Sequence, residues 1–404
     1  MRRILNIFMA AVLSLSVLSG CQDNKMKVLI VTGQSAYHNW EESHQILQEI
    51  LENSDMFSVE TSISPAKGED MSGFSPDFSS FDVVVLDYMG DEWPEKTKKN
   101  FVKYVKNGGG VVVYHYSVAA FPGWKEYRDM IGLGWTGKEE TSGTYVYYNG
   151  NGELIRDNSK GKAGSHGPAH EFVVEVRDQE HPIVKGLPKR WLHPKDELYQ
   201  QLRGPADNLN VLATAWANPK LKGTGRNEPM LMTVNYEKGR IFSTVLGHVG
   251  KEDMHVSTMD AGFILTLQRG AEWAATGNVT QPLPEDLPNI GSVFILPQYK
   301  FYTLDELFEG AKKFEFGKPQ RYLYLISNRI RNAKGDRAKL AMYEDKIIEV
   351  LKDDEATAEC KNYLCRDISW MGTEKSIPVL EELQKNDETA EMAKYALTRM
   401  KFNF

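Results

Sequence analysis

Apolar runs and amphipathic stretches alternate along the first two thirds of the chain. "MKVLIVTG" (26–33), "FDVVVLDY" (81–88) and "GVVVYHY" (110–116) are apolar almost throughout, as strands buried on both faces are. Between them, "EESHQILQEILENS" (41–54) sets Ile46, Leu47, Ile50 and Leu51 on one helical face. "PEKTKKNFVKYVKNGG" (94–109) opens with Pro94 and closes on glycine, the order that helix ends favour. This alternation predicts an α/β fold, a parallel sheet flanked by helices. After residue 140 the texture changes. "HEFVVEVRD", "NVLATAW" and "PMLMTVNYEKGRIFSTVLGH" read as strands, the last a hairpin turning at "EKGR". "MDAGFILTLQRGAEWAATG" (259–277) reads as a closing helix.

The α/β domain is therefore expected over 26–277. A linker is expected over 278–299, because "NVTQPLPEDLPN" is proline-rich and polar. Residues 300–404 form a small all-α domain by their charge and helical period. That tail holds an echo: "LKDDEATAECKNY" (351–363) returns as "LQKNDETAEMAKY" (383–395), 32 residues on, with Leu, Thr, Ala, Glu and Tyr in register. An offset of that size suggests a short array of HEAT-like helix pairs.

The N-terminus is a targeting segment rather than fold. Arg2 and Arg3 precede an apolar run from Ile4 to Leu18, and "LSGC" follows. The run is short for a span of about 20 residues. Residues 1–20 are expected to be a lipoprotein signal peptide, with Cys21 acylated after cleavage. The expected location is the cell envelope, anchored to a membrane on the periplasmic face or the cell surface. The formal net charge is −7 and grows more negative once the two arginines are removed, which excludes a nucleic-acid surface. Cys360 and Cys365 are the other cysteines, too few for a disulfide framework.

Three histidines follow strand-like runs directly. His38 follows "VLIVTGQSAY", His115 follows "VVVY" and His248 follows "GRIFSTVLG". Parallel strands end at one edge, and ligands of open α/β sheets sit there. His38, His115 and His248 are thus candidate ligands of a divalent metal such as zinc, since imidazoles suit zinc, copper, iron or nickel. Without a metal, one of them would serve as general acid or base. His115 and His248, with Glu197 of "DELY", are the candidate catalytic residues. Trp40, Tyr114, Tyr116 and Asp196 are the candidate substrate contacts, because aromatic faces beside polar groups suit a sugar ring. "HGPAHEF" (166–172) adds a second polar stretch. A histidine facing an open cleft supports little packing, so His115→Ala is expected to leave stability almost unchanged. No G-x-S-x-G elbow is present, and no cysteine lies within 26–277, which excludes thiol catalysis there.

"VLIVTGQSAYHNW", "GGGVVVYHYSVAAF", "WKEYRDMIG", "HPIVKGLP", "DELY", "GRIFSTVLGH" and "GAEWAATG" occur in the order seen in the ThuA-like (trehalose-utilisation) family, which the chain resembles over roughly 26–277. The resemblance implies a flavodoxin-like parallel sheet of the class I glutamine amidotransferase-like kind. It also implies carbohydrate metabolism, of disaccharides or their oxidised keto forms. An amidotransferase keeps a cysteine at the turn where this chain carries His115, so the glutaminase reaction does not carry over. Tyr116 separates His115 from Ser117, where the family has His-Ser directly.

Two readings stand at this point. One is an enzyme acting on a disaccharide or keto-sugar, a hydrolase or isomerase, at a histidine-lined site. The other is a non-catalytic carbohydrate-binding or scaffold lipoprotein. In either, the partners expected are a small carbohydrate, the membrane through Cys21, and a protein docked by the helical tail.

Overall fold

The computed structural model describes residues 25–251, 255–318 and 320–400. The expected signal peptide and Cys21 lie outside the described residues. Among the described residues, no helix is long and apolar enough to cross a membrane.

The described residues fall into two compact units, 25–283 with 287–299, and 284–286 with 300–400. In the first, β1 (Met26–Thr32), α1 (Trp40–Glu52), β3 (Val83–Leu86), α2 (Glu95–Lys106) and β4 (Gly110–Tyr114) stand where the sequence predicts them, and β2 (Phe57–Ile63) and α3 (Lys125–Ile131) are added by the structure. Short strands follow: β5 (Thr144–Tyr148), β6 (Leu154–Asp157) and β7 (Ser165–His166). Then come β8 (His170–Val176), β9 (Arg190–Asp196), β10 (Tyr199–Gln200), β11 (Arg203–Gly204) and β12 (Leu209–Trp216). The hairpin of β13 (Asn227–Tyr236) and β14 (Gly239–Thr244) leads to α4 (Ala261–Thr276).

The main sheet runs β2-β1-β3-β4-β14-β13-β12-β8-β9. Its first five strands are parallel, in the flavodoxin-like order, with β14 in fifth place. From β14 to β9 the neighbours are antiparallel. All four side chains of β3 are buried. Burying a Val or Leu side chain is worth about 1.5–3 kcal/mol, so this short strand holds its central place by burial and not by length.

One expectation changes here. Residues 278–299 are not a free linker. Glu272 on α4 accepts from the amides of Thr280 at 2.5 Å and Gln281 at 3.1 Å. Leu192 donates to Asn289 O at 2.9 Å, Ala261 to Phe294 O at 2.9 Å and Leu296 to Met259 O at 2.8 Å. Prolines deny the segment helix or ladder, yet its backbone groups find partners on the α/β unit.

The second unit holds α5 (Leu304–Lys312), α6 (Arg321–Asn332), α7 (Arg337–Lys352), α8 (Ala358–Met371), α9 (Ile377–Leu383) and α10 (Ala390–Met400). Ile326, Ile347, Leu364, Leu380 and Ala396 belong to its own core. The two copies of the echo occupy the same place in successive helix pairs. Leu351 lies in the last turn of α7 and Leu383 ends α9; Thr357 caps α8 and Thr389 precedes α10. Leu364 and Ile368 are buried, and so are their counterparts Ala396 and Met400.

Candidate functional site

Three loops at the carboxyl ends of the parallel strands carry the histidines. The loop after β1 brings His38, whose amide donates to Ser35 Oγ at 3.1 Å. Its neighbour Asn39 donates to Val249 O at 3.0 Å, which ties this loop to the one carrying His248. β4 ends at Tyr114, and His115 turns into the left-handed region at φ +41°. His115 Nδ1 donates to Val245 O at 2.8 Å, so Nε2 is left to face the site. The turn after β14 reaches His248 through Gly247, at φ +93°. A Cβ on Gly247 would stand 2.6 Å from the Phe263 ring, so only glycine fits.

Glu197 comes from the other half of the sheet, directly after β9, and meets all three. Its Oε2 lies 3.3 Å from His248 Nδ1, 3.8 Å from His115 Nε2 and 4.0 Å from His38 Nε2. The ring centroids of the three histidines are 4.9–5.4 Å apart. One ligand atom from each of the four residues lies within 4.8 Å of all the others. Nε2 of His115 is buried and has no hydrogen-bond partner among the described residues. Burial lowers the His38 imidazole to about 2, with the imidazoles of His115 and His248 adding to the effect. Burial works to raise the Glu197 carboxyl, but the facing His115 and His248 overcome it and hold it well below the usual range. The result is a carboxylate set among three imidazoles.

This donor set fits a divalent cation. Bonds of about 2.0–2.2 Å put tetrahedral donors roughly 3.4 Å apart, and His248 Nδ1 and Glu197 Oε2 already stand at 3.3 Å. The Nδ1–H of His115 on a backbone carbonyl is the outer hydrogen bond that fixes a ligating imidazole.

Other expected contacts fall elsewhere. Tyr114 is a core residue and not a substrate contact. It is 1% exposed, its hydroxyl donates to Gly247 O, and its ring packs on Phe263. Tyr116 is equally buried. It stacks under His38 at 4.3 Å and donates to Asp87 Oδ1 at 2.6 Å, so it supports a candidate ligand. Trp40 opens α1 and stacks on His44. Asp196 holds structure and has no oxygen left for a sugar. Oδ1 accepts from the amides of Glu197 at 2.7 Å and His248 at 3.1 Å. Oδ2 accepts from the Gly247 amide at 2.7 Å and from His193 Nε2 at 2.9 Å. His193 Nδ1 meets Asp260 Oδ2 at 2.9 Å. Burial works to lower this imidazole, but the two carboxylates raise it to about 9. His115 is fully buried, so the expectation that its removal leaves stability unchanged does not hold.

Two residues outside the expected set join the site. His166 Nε2 lies 3.7 Å from the other oxygen of Glu197, Oε1, and its side chain is 39% exposed. Tyr199 packs on His115 at 4.5 Å, with its hydroxyl 3.4 Å from His38 Nε2. Both stand in stretches the sequence marks, "HGPAHEF" and "DELY". The signal was present, but nothing local said which member turns inward.

The ThuA family, described as trehalose utilisation, matches residues 27–274. A ThuA-like protein from Parabacteroides merdae is 49% identical, with a TM-score of 0.66 over 69% of this chain and 100% of that one. A ThuA-like protein from Bacteroides uniformis is 19% identical, with a TM-score of 0.43 over 63% of this chain and 93% of its own. A β-galactosidase from Bacillus circulans is 15% identical, with a TM-score of 0.37 over 64% of this chain and 32% of its own. No curated protein matches. The family points to a carbohydrate-related function, and by family match and identity alike this chain belongs to the ThuA family.

Proposed function

We propose that this protein is an enzyme of carbohydrate metabolism acting on a disaccharide or keto-sugar at a divalent-metal centre held by His38, His115 and His248. The observation that carries the reading is His115. Its imidazole is fully buried, Nδ1 is fixed by a carbonyl, and Nε2 is left without a hydrogen bond among three other donor residues. Burying a polar atom unpaired costs about 1–3 kcal/mol, and a cation would remove that cost.

The site favours proton transfer on a keto-sugar, as in an isomerase, over glycoside hydrolysis. Hydrolysis ordinarily needs two carboxylates flanking one bond. Among the described residues Glu197 is the single carboxylate of the cluster, since Asp196 is occupied by four donors. The metal would supply Lewis acidity to a sugar carbonyl. Glu197 would take the proton beside that carbonyl, and half-exposed His166 on its other oxygen marks the side from which substrate enters. The pattern "LSGC" supports acylation of Cys21 and a place in the cell envelope. The helix pairs of the tail suit a HEAT-like array that docks a protein.

Metal analysis and a substrate panel test the proposal together. The purified chain is expected to hold about one divalent ion. It should turn over one member of a panel of disaccharides and keto-glycosides, and lose that turnover on chelation. A chain with no metal and no turnover would leave the non-catalytic carbohydrate-binding or scaffold reading.

A further inference from the structure

The antiparallel end of the sheet carries a second recess. A groove of about 390 Å³ lies over β8, β9 and β12, lined by Glu171, Arg190, Trp216, Asn218 and Asn227 among others. Cavities of about 300–1,000 Å³ are the usual size for small-molecule sites. Trp216 is 51% exposed, an unusual place for an indole, and it ends β12 opposite Asn227 of β13. Its ring is therefore held on a rigid sheet and not on a loop. Among the described residues, the side chains of Trp216, Glu171 and Arg190 make no hydrogen bond, ion pair or ring contact. Asn218 uses Oδ1 to accept from the Lys220 amide, which leaves its Nδ2 toward the groove.

These groups have one chemistry in common. An exposed indole face covers the apolar C–H face of a pyranose ring. A guanidinium, a carboxylate and amides set beside it match neighbouring hydroxyls, which donate and accept at once. An anionic ligand would meet Glu171 and Glu175, and a cationic one Arg190, so the lining favours a neutral ligand.

The groove adjoins the candidate centre. His166 stands 3.7 Å from Glu197, while His170, four residues on, lines the groove and pairs across the ladder with Asp196. Between them, Gly167 runs so close to Leu221 that a Cβ would stand 1.9 Å from the Leu221 carbonyl oxygen. The segment 166–170 thus runs from a neighbour of the centre, His166, to a residue of the groove lining, His170.

We propose that the Trp216 groove is a carbohydrate-binding site for a neutral oligosaccharide, beside the candidate centre and separate from it. The ligand class rests on the carbohydrate reading above; the site itself depends on neither metal nor turnover. Native electrophoresis of the full chain through gels cast with glycogen, dextran or a soluble mixed-linkage β-glucan tests it. At least one of these neutral glucans is expected to retard the wild type. Trp216→Ala and Arg190→Ala should each weaken that retardation by roughly tenfold. Trp216→Tyr should keep most of it, and His115→Ala should migrate as wild type. Trp216 and Arg190 are exposed, so unchanged melting curves are expected for their variants. Absence of retardation in all three gels would overturn the proposal, and so would Trp216→Ala migrating as wild type. Retardation lost in His115→Ala but kept in Trp216→Ala would overturn it too, by moving the binding to the centre. None of these outcomes alters metal content or turnover, so the two readings fail separately.

Discussion

Asp196 holds the turn that carries His248: its Oδ1 accepts the His248 amide at 3.1 Å, while its Oδ2 meets the buried His193. The carboxylate thus sets a candidate ligand through the backbone. Asp196→Asn keeps the shape but faces donors with an amide nitrogen and leaves the His193 cation with Asp260 alone. Breaking one side of a buried charge pair costs about 3–5 kcal/mol. The expected result is a lower denaturation midpoint together with loss of bound metal. A variant that keeps both stability and metal would show that Asp196 does not position the turn.

His115 sits at φ +41°, where a side chain costs about 1–2 kcal/mol. Glycine escapes that cost but adds about 0.5–1 kcal/mol of chain entropy in the unfolded state. His115→Gly is therefore expected to be the more stable of the two truncations, by up to roughly 1 kcal/mol over His115→Ala. Both should be inactive and both less stable than wild type, since the imidazole is buried and bonded to Val245. Chemical denaturation of the three proteins checks the order, and a more stable alanine variant would contradict the left-handed turn.

Asp87 lies beneath the site, fully buried among Tyr116, Ser43 and Thr32. Burial pushes its carboxyl up to about 7, against the pull of those three hydroxyls. An unfolded aspartate titrates near 3.9. Between about pH 4 and pH 7 the folded state holds a proton that the unfolded state has released, so stability falls as pH rises through that window. Asp87→Asn cannot titrate. The difference in melting temperature, wild type minus variant, should decline from pH 4 to pH 7 and then level off. A flat difference would place Asp87 among ordinary carboxylates.

Residues 287–299 pack with the α/β unit, so the place to cut is after 299. A chain ending at 299 is expected to melt cooperatively. One ending at 290 loses the partners of Met259 O and of the Ala261 amide at the start of α4. Each lost buried hydrogen bond costs about 1–3 kcal/mol. The shorter chain should melt several degrees lower, as differential scanning calorimetry would read. Equal melting of both chains would restore a simple linker.

The anchor is tested at one atom. Cys21→Ala removes the thiol that an acyl transfer needs, so the variant should move to the aqueous phase on detergent partitioning while wild type stays with the detergent. A variant that still partitions with detergent would rule out lipidation at Cys21.

The parallel half of the fold is legible because its strands are buried on both faces and need no alternation to be seen. The histidines are legible for the same reason. Each lies within six residues of the end of such a strand, and parallel strands end together. Tyr114 and Tyr116 mislead because an aromatic side chain reads the same in the sequence whether it lines a site or fills a core. Both phenols are buried here, and Tyr116 reaches the site only by stacking under His38. Asp196 and Glu197 are adjacent, alike in chemistry and opposite in role. Only the ladder between β8 and β9 decides which one grips the turn and which one meets the histidines. His166 and Tyr199 reach the cluster through the two-residue pairing of β7 with β10, too short to leave a pattern.

Glu197 arrives at the cluster from β9, the last strand in the sheet order, while the histidines follow β1, β4 and β14 in its parallel half. Edge elements open more readily than the centre they rest on. The last act of folding would then be the closing of this edge, and an ion that also drew in Glu197 as a fourth donor would latch it. A loaded protein should resist opening there far more than an empty one. Amide exchange along β8 and β9 would then act as a gauge of occupancy, read in the backbone and not at the metal itself. Through that coupling, scarcity of the ion would show first as a frayed border rather than as a collapsed interior.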